Sequence, residues 1–216
     1  GLEKDYRKNL LKRFFTSLVI LFPIAIIIHI ESILLFSVLI SLVCIGGLFE
    51  WIKNRMGNNF LGIFLISSFG ISSIIFVDTF VEKFISAYLV FLLVILNTAI
   101  FDTFAYIVGS NFGRTKIAKE ISPNKTYEGL VAGTISSVIY GYLVCIFLNI
   151  DLLIIPCFVI GCLFAFLGDL LISYFKRRSG IKDTGSLLPG HGGVLDRLDS
   201  HLLATPLLLG LISLVL

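Results

Sequence analysis

The chain has 216 residues, 57% hydrophobic and only 14% charged, with a mean hydropathy of +1.01. Soluble domains carry about 25% charged residues, so a water-soluble globule is excluded, and the unbroken apolar blocks exclude the alternating pattern of a β-barrel. The formal net charge of +3 is too small to suggest a nucleic-acid partner; the placement of the charges says more.

The expected fold is all-α, a polytopic integral membrane protein of about seven transmembrane helices with its N-terminus cytoplasmic. The apolar runs fall at about 14–30, 33–49, 60–77, 86–108, 130–148, 152–175 and 201–216, most of them near the roughly 17–25 residues that cross a bilayer. The first run lacks a convincing cleavage site and is followed by further spans, so it reads as an anchor and not as a signal peptide. Cys44, Cys145, Cys157 and Cys162 all lie in apolar runs without metal-ligand spacing and read as small buried hydrophobes.

With that count, 16 of the 17 Lys and Arg residues fall on one side and only Lys83 on the other. Basic residues favour cytoplasmic loops, which makes this side cytoplasmic. Two of its loops are long and polar, 109–129 and 176–200. They divide the chain into N-terminal spans, 1–99, and a region expected to be catalytic, 100–216.

Two carboxylates interrupt spans: Asp102 in "LNTAIFDTFAYIVG" and Asp169 in "LFAFLGDLLISYFKRR". A charge at membrane depth costs a few kcal/mol, so it is expected to face protein, water or a cation. Each lies seven residues before a polar boundary, about 10 Å inside it. Tyr106 and Ser173, four residues on, share their helical faces. The plainer alternative is a carboxylate paired with a basic residue for packing.

The segment from Lys176 to Ser200 reads "KRRSGIKDTGSLLPGHGGVLDRLDS". Asp196 and Asp199, three apart, share one face of a helix that begins there, where they either complement its dipole or join Asp169 in a cation site. Hard oxygen ligands suit Mg²⁺, which binds through one or two carboxylates plus substrate phosphates. Gly185, Gly190, Gly192 and Gly193 leave backbone N–H groups free to approach phosphate. Lys182 and Arg197 are the better basic candidates, whereas Lys176 to Arg178 could serve only to fix topology. His191 is open among acid–base, donor and structural roles.

Extended back to Ser173, this segment resembles the signature of the phosphatidate cytidylyltransferases, or CDP-diacylglycerol synthases. Ser173, Lys176, Arg177, Lys182, Asp183, Gly185, Leu188, Pro189, His191, Gly192, Gly193, Asp196, Arg197 and Asp199 fill its fixed places. "DTFAYIVG" and "SPNKTYEG" are similar to two further elements of the family, with Asn124 where Lys is usual.

The resemblance implies an enzyme that joins CTP to phosphatidate in the bilayer, releasing pyrophosphate. It implies Asp169 and Asp196 at a divalent metal, with Asp199 and Asp102 beside them, and Mg²⁺ as cofactor; a second, monovalent cation such as K⁺ is compatible with this set. Lys182, Asp183, His191, Asp196 and Arg197 are the expected catalytic residues. Ser122, Lys125, Thr126, Ser173, Lys176, Arg177, Gly192 and Gly193 are expected to bind substrate. The expected location is a bacterial-type inner membrane with the site facing the cytoplasm. Membrane lipids are the expected surroundings, and a homodimer is among the assemblies left open. Two rivals are a related CTP-dependent lipid enzyme and an ion-coupled transporter, for which intramembrane aspartates would line an ion path.

Overall fold

The structure is a computed structural model that describes residues 22, 24–80, 85–187 and 192–216. Most of the expected first span, the N-terminal basic cluster, Lys83, Leu188, Pro189, Gly190 and His191 lie outside the described residues. Residues 22 and 24–30 are helical. Beyond them the helices are α1 Ile33–Lys53, α2 Asn59–Thr79, α3 Ala87–Phe112, α4 Tyr127–Leu148, α5 Ile154–Arg178, α6 Leu195–Leu198 and α7 His201–Val215, with strands β1 Lys116–Ala118 and β2 Ser122–Thr126 between α3 and α4.

Five helices, α1 to α5, are long and apolar enough to cross a membrane. Their outward faces carry exposed Leu34, Leu42, Phe49, Phe60 and Phe147, far more apolar surface than a soluble monomer leaves in water. The chain is therefore an integral membrane protein. Helix α7 has 15 residues and contains Pro206, so it is about 22 Å long, short of the roughly 30 Å hydrocarbon core. It packs between α2 and α5.

Polar side chains set the helix ends. Asn58 accepts from Phe60 N–H at 2.9 Å to start α2, and Thr126 accepts from Gly129 N–H at 3.1 Å to start α4, each satisfying a donor that has no partner within the first turn.

The expected loop at 109–129 is corrected by this local chemistry. Ser110 and Asn111 donate back to the Ile107 carbonyl at 3.1 and 2.7 Å, so these polar residues extend α3 to Phe112. The next residues form an antiparallel hairpin pairing Lys116 with Thr126 and Ala118 with Ser122, a small β element within an otherwise helical fold.

The core has two parts. The larger contains Trp51, Ile66, Phe158, Ile172, Leu195 and Leu208. The smaller gathers Phe101, Cys162, Ala165, Phe166 and Ala204, with Ile117, Leu130 and Leu170 against it. Helices α3 and α4 come close because Gly133 faces Phe101, where a Cβ would stand 2.6 Å from the ring; small residues allow this approach between membrane helices.

Three contacts gather the polar loops at one end of the bundle. Asn54 Nδ2 donates to the Thr184 carbonyl at 2.6 Å, Ser179 Oγ to the Arg55 carbonyl at 3.2 Å, and Arg177 Nε to the Ile121 carbonyl at 3.2 Å.

Candidate active site

At that end lies a cavity of about 310 Å³, lined by α3 (Phe101, Asp102, Ala105, Tyr106), β2 (Ser122, Asn124, Lys125, Thr126), α4 (Gly129, Leu130), α5 (Phe166, Asp169), Asp196 of α6, and Asp199 and Ser200. Phe101, Phe166 and Leu130 belong to the smaller core, so an apolar floor carries a polar rim. The volume is at the lower end of small-molecule sites.

The four aspartates come from three helices, α3, α5 and α6, and the turn after α6 that carries Asp199. Ser200 Oγ donates to Asp102 Oδ2 at 2.8 Å, and Ser173 Oγ donates to Asp169 Oδ1 at 3.1 Å. Lys125 forms an ion pair with Asp169, its ammonium 4.6 Å from the centre of the Phe166 ring. The ammonium of Lys176, a buried residue, stands 3.1 Å from Asp196 Oδ1 and 3.5 Å from Asp199 Oδ2. Lysines thus balance much of the carboxylate charge, which keeps buried acids affordable.

Asp196 and Asp199 titrate apart. Burial alone would raise Asp196, but the Gly193 N–H, the Lys176 ammonium and the Thr184 N–H together hold it below the ordinary carboxylate range. Burial, then the charge of Asp169, pushes Asp199 up to about 7 despite Lys176.

Other expected site residues fall elsewhere. Lys182, Asp183, Arg177 and Arg197 are exposed and do not line the cavity. Lys176, which the residue pattern left open to a topological role and the resemblance expected at substrate, stands inside the aspartate cluster. The reason is geometric: it is in the last turn of α5, on the face below Asp196, while Arg177 turns outward to the Ile121 and Ile181 carbonyls.

The glycine-rich backbone is also differently employed. Gly193 N–H donates to Asp196 Oδ2 at 2.9 Å, as does Thr184 N–H. Gly192 has φ +85, a conformation that favours glycine. At Gly193 a Cβ would lie 2.2 Å from Thr184 Oγ1 and 2.4 Å from Glu50 Oε2. The glycine therefore makes room for this chain's own carboxylates, and its N–H is not directed at an open phosphate site.

Glu50, near the end of α1, is the residue the sequence reading missed. It is 4% exposed and accepts from Thr184 Oγ1 at 2.8 Å, Val194 N–H at 3.0 Å and Leu195 N–H at 2.9 Å. A signal was available: it is the one acidic residue in α1.

All the site's candidate metal ligands are hard carboxylate oxygens, the donor set that suits Mg²⁺. Among the described residues, no three His, Cys, Asp or Glu side chains stand together as a ready cation site; Lys125 and Lys176 hold positions between the aspartates.

Membrane-length helices thus enclose, at one polar end, a cavity lined by four aspartates and Lys125, the polar site of a membrane-embedded protein. The chain belongs to the cytidylyltransferase family, whose model matches residues 14–215. It is similar to the phosphatidate cytidylyltransferase of Rickettsia typhi, 41% identical over 188 residues that span 82% of this chain and 81% of the relative. The Rickettsia conorii phosphatidate cytidylyltransferase is 37% identical over 221 residues, 96% and 93% of the two chains. That of Thermotoga maritima is 38% identical over 155 residues, 65% and 57%.

Proposed function

We propose that this chain is an enzyme that transfers the cytidylyl group of CTP to phosphatidate, forming CDP-diacylglycerol and pyrophosphate. The observation that carries the reading is the meeting of Asp102, Lys125, Asp169 and Asp196 in one cavity at the polar end of the bundle. There a water-borne nucleotide meets a lipid phosphate whose acyl chains stay in the bilayer. Family membership supports the same reaction.

A phosphatidate oxygen attacks the α-phosphorus of CTP; the new O–P bond forms as the bond from that phosphorus to the β-phosphate oxygen breaks, and pyrophosphate leaves with the electron pair. Joining two anions makes charge neutralisation and in-line positioning the main tasks. Lys125, which lines the cavity, and Lys176, paired with Asp196 and Asp199 of its lining, turn to phosphate oxygens when substrate enters. Ser122 and Thr126 line the nucleotide side. No general base is required, because phosphatidate is already ionised at neutral pH. Asp169 and Asp196, with Asp199 and Asp102 beside them, would hold Mg²⁺, which when bound neutralises phosphate charge. K⁺ remains the proposed monovalent companion.

The finer topology proposed is seven spans with a cytoplasmic N-terminus, the catalytic region 100–216 facing the cytoplasm from a bacterial-type inner membrane, and a homodimer as the assembly to test. The gathering of Arg55, Arg177 and Lys125 at one end supports this orientation. The test is transfer of label from α-labelled CTP to phosphatidate by purified protein with Mg²⁺. Asp169→Asn and Asp196→Asn should each lose about 100-fold or more in turnover; wild-type-like rates from both would remove these residues from the metal site.

A further inference from the structure

Glu50 belongs to a span that contributes nothing to the cavity lining, yet its carboxylate reaches across to the signature segment. It accepts hydrogen bonds from the Thr184 hydroxyl on one flank of that segment and from the N–H groups of Val194 and Leu195 on the other. The two N–H groups open the short helix that carries Asp196, and such first-turn donors have no partner within their own helix. Glu50 acts as an N-cap supplied from another part of the chain, matching negative charge to the positive end of the helix.

Asp196 repeats the arrangement from the cavity side. Its Oδ2 accepts from Thr184 N–H and Gly193 N–H, both at 2.9 Å. The same two flanks are thus held by two carboxylates, one facing α1 and one facing the cavity. The fit leaves little freedom: a Cβ on Gly185 would lie 2.6 Å from Glu50 Oε1. Asn54, one turn after Glu50, donates to the Thr184 carbonyl at 2.6 Å and to the Glu50 carbonyl at 2.8 Å, so this end of α1 holds Thr184 by its hydroxyl and its carbonyl.

We infer that Glu50 is a positioning residue for the reaction: it fixes Thr184 against the 193–195 turn and thereby sets the orientation of Asp196 in the cavity. Asp196 is the residue that touches substrate or cation, and Glu50 acts only through it. The inference rests on the proposed cytidylyl transfer for its kinetic consequence, but the clamp itself is a physical contact that can be read without turnover.

The experiment uses full-length protein in detergent, comparing wild type with Glu50→Gln, Thr184→Val and Thr184→Ser. Gln keeps the shape but replaces one acceptor with a donor, so at least one of the three donors loses its partner. Amide hydrogen exchange at 193–196 should accelerate tenfold or more in Glu50→Gln. Turnover should fall about 100-fold, the cost of a misplaced group of about 1 Å, and the Mg²⁺ concentration for half-maximal turnover should rise. Thr184→Val should follow Glu50→Gln at smaller size, Thr184→Ser should keep wild-type values, and a fourth protein combining Glu50→Gln with Thr184→Val should be no worse than Glu50→Gln alone, because both act on one set of contacts.

Unchanged exchange in Glu50→Gln overturns the clamp. Faster exchange with turnover and Mg²⁺ dependence within twofold of wild type overturns the positioning role, as does a loss of active protein at an unchanged Mg²⁺ midpoint. A wild type without cytidylyl transfer refutes the proposed function alone, and the exchange data still decide whether Glu50 holds the turn.

Discussion

Lys125 and Asp169 reach each other from a hairpin strand and a membrane helix, and they pair beside the ring of Phe166. Each balances the other's charge in a setting where neither is fully hydrated, and Ser173 holds the second oxygen of Asp169.

Lys125→Met should therefore lower kcat/KM for CTP at least tenfold, about 1.4 kcal/mol of transition-state stabilisation. Lys125→Arg keeps the charge and should recover part of it. Steady-state CTP titrations check this, and a Lys125→Met enzyme with wild-type kcat/KM would place the residue outside the reaction.

Lys176 is the counter-ion of both Asp196 and Asp199. Removing one partner of a buried pair leaves its charge uncompensated, and here the expected cost of Lys176→Met is about 3 kcal/mol. Detergent melting curves at neutral pH should show a drop of several degrees. Adding Asp196→Asn should return part of it, since the carboxylate that stays ionised at this pH is then replaced by a neutral group.

The folded value of Asp199, about 7, exceeds the unfolded carboxylate value of about 4. Between them the folded state binds more protons than the unfolded state, so stability falls as pH rises through this window. Asp196, whose folded value is depressed, contributes the opposite trend, and only as pH drops below its unfolded value. Melting temperature measured with a chelator present should decline from about pH 4 to about pH 7, a window set by the Asp199 shift. Asp199→Asn should flatten the decline; the same slope in both proteins would assign it to another group.

Gly193→Ala and Gly210→Ala make a matched pair. The first puts a methyl 2.2 Å from Thr184 Oγ1 and should separate the turn from Glu50, with turnover falling tenfold or more. The second faces open space within α7 and should leave activity unchanged while adding up to about 1 kcal/mol from helix propensity. Turnover assays and melting curves on both proteins test the contrast.

Much of the architecture was legible because lipid imposes long apolar runs that local composition cannot hide. Asp102 and Asp169 stood out against that background, and the structure brings both to one cavity. Lys176 could not be placed from the residue pattern alone, because Lys-Arg-Arg at a span end has the same composition whether it meets the cytoplasm or a buried carboxylate; only the helical face decides. The hairpin was missed because "SPNKT" is short, polar and without alternation. Glu50 was missed because its partners lie 134 to 145 residues away in sequence, and no local spacing encodes such a meeting.

The attachment of the signature turn to α1 has a mechanical consequence. A transmembrane helix tilts or slides when its apolar length and the hydrocarbon thickness disagree. Because Glu50 rides near the end of a 21-residue apolar helix, any such adjustment tugs on Thr184, Val194 and Leu195 together. The catalytic geometry is thereby moored to the thickness of the sheet of lipid in which the protein sits.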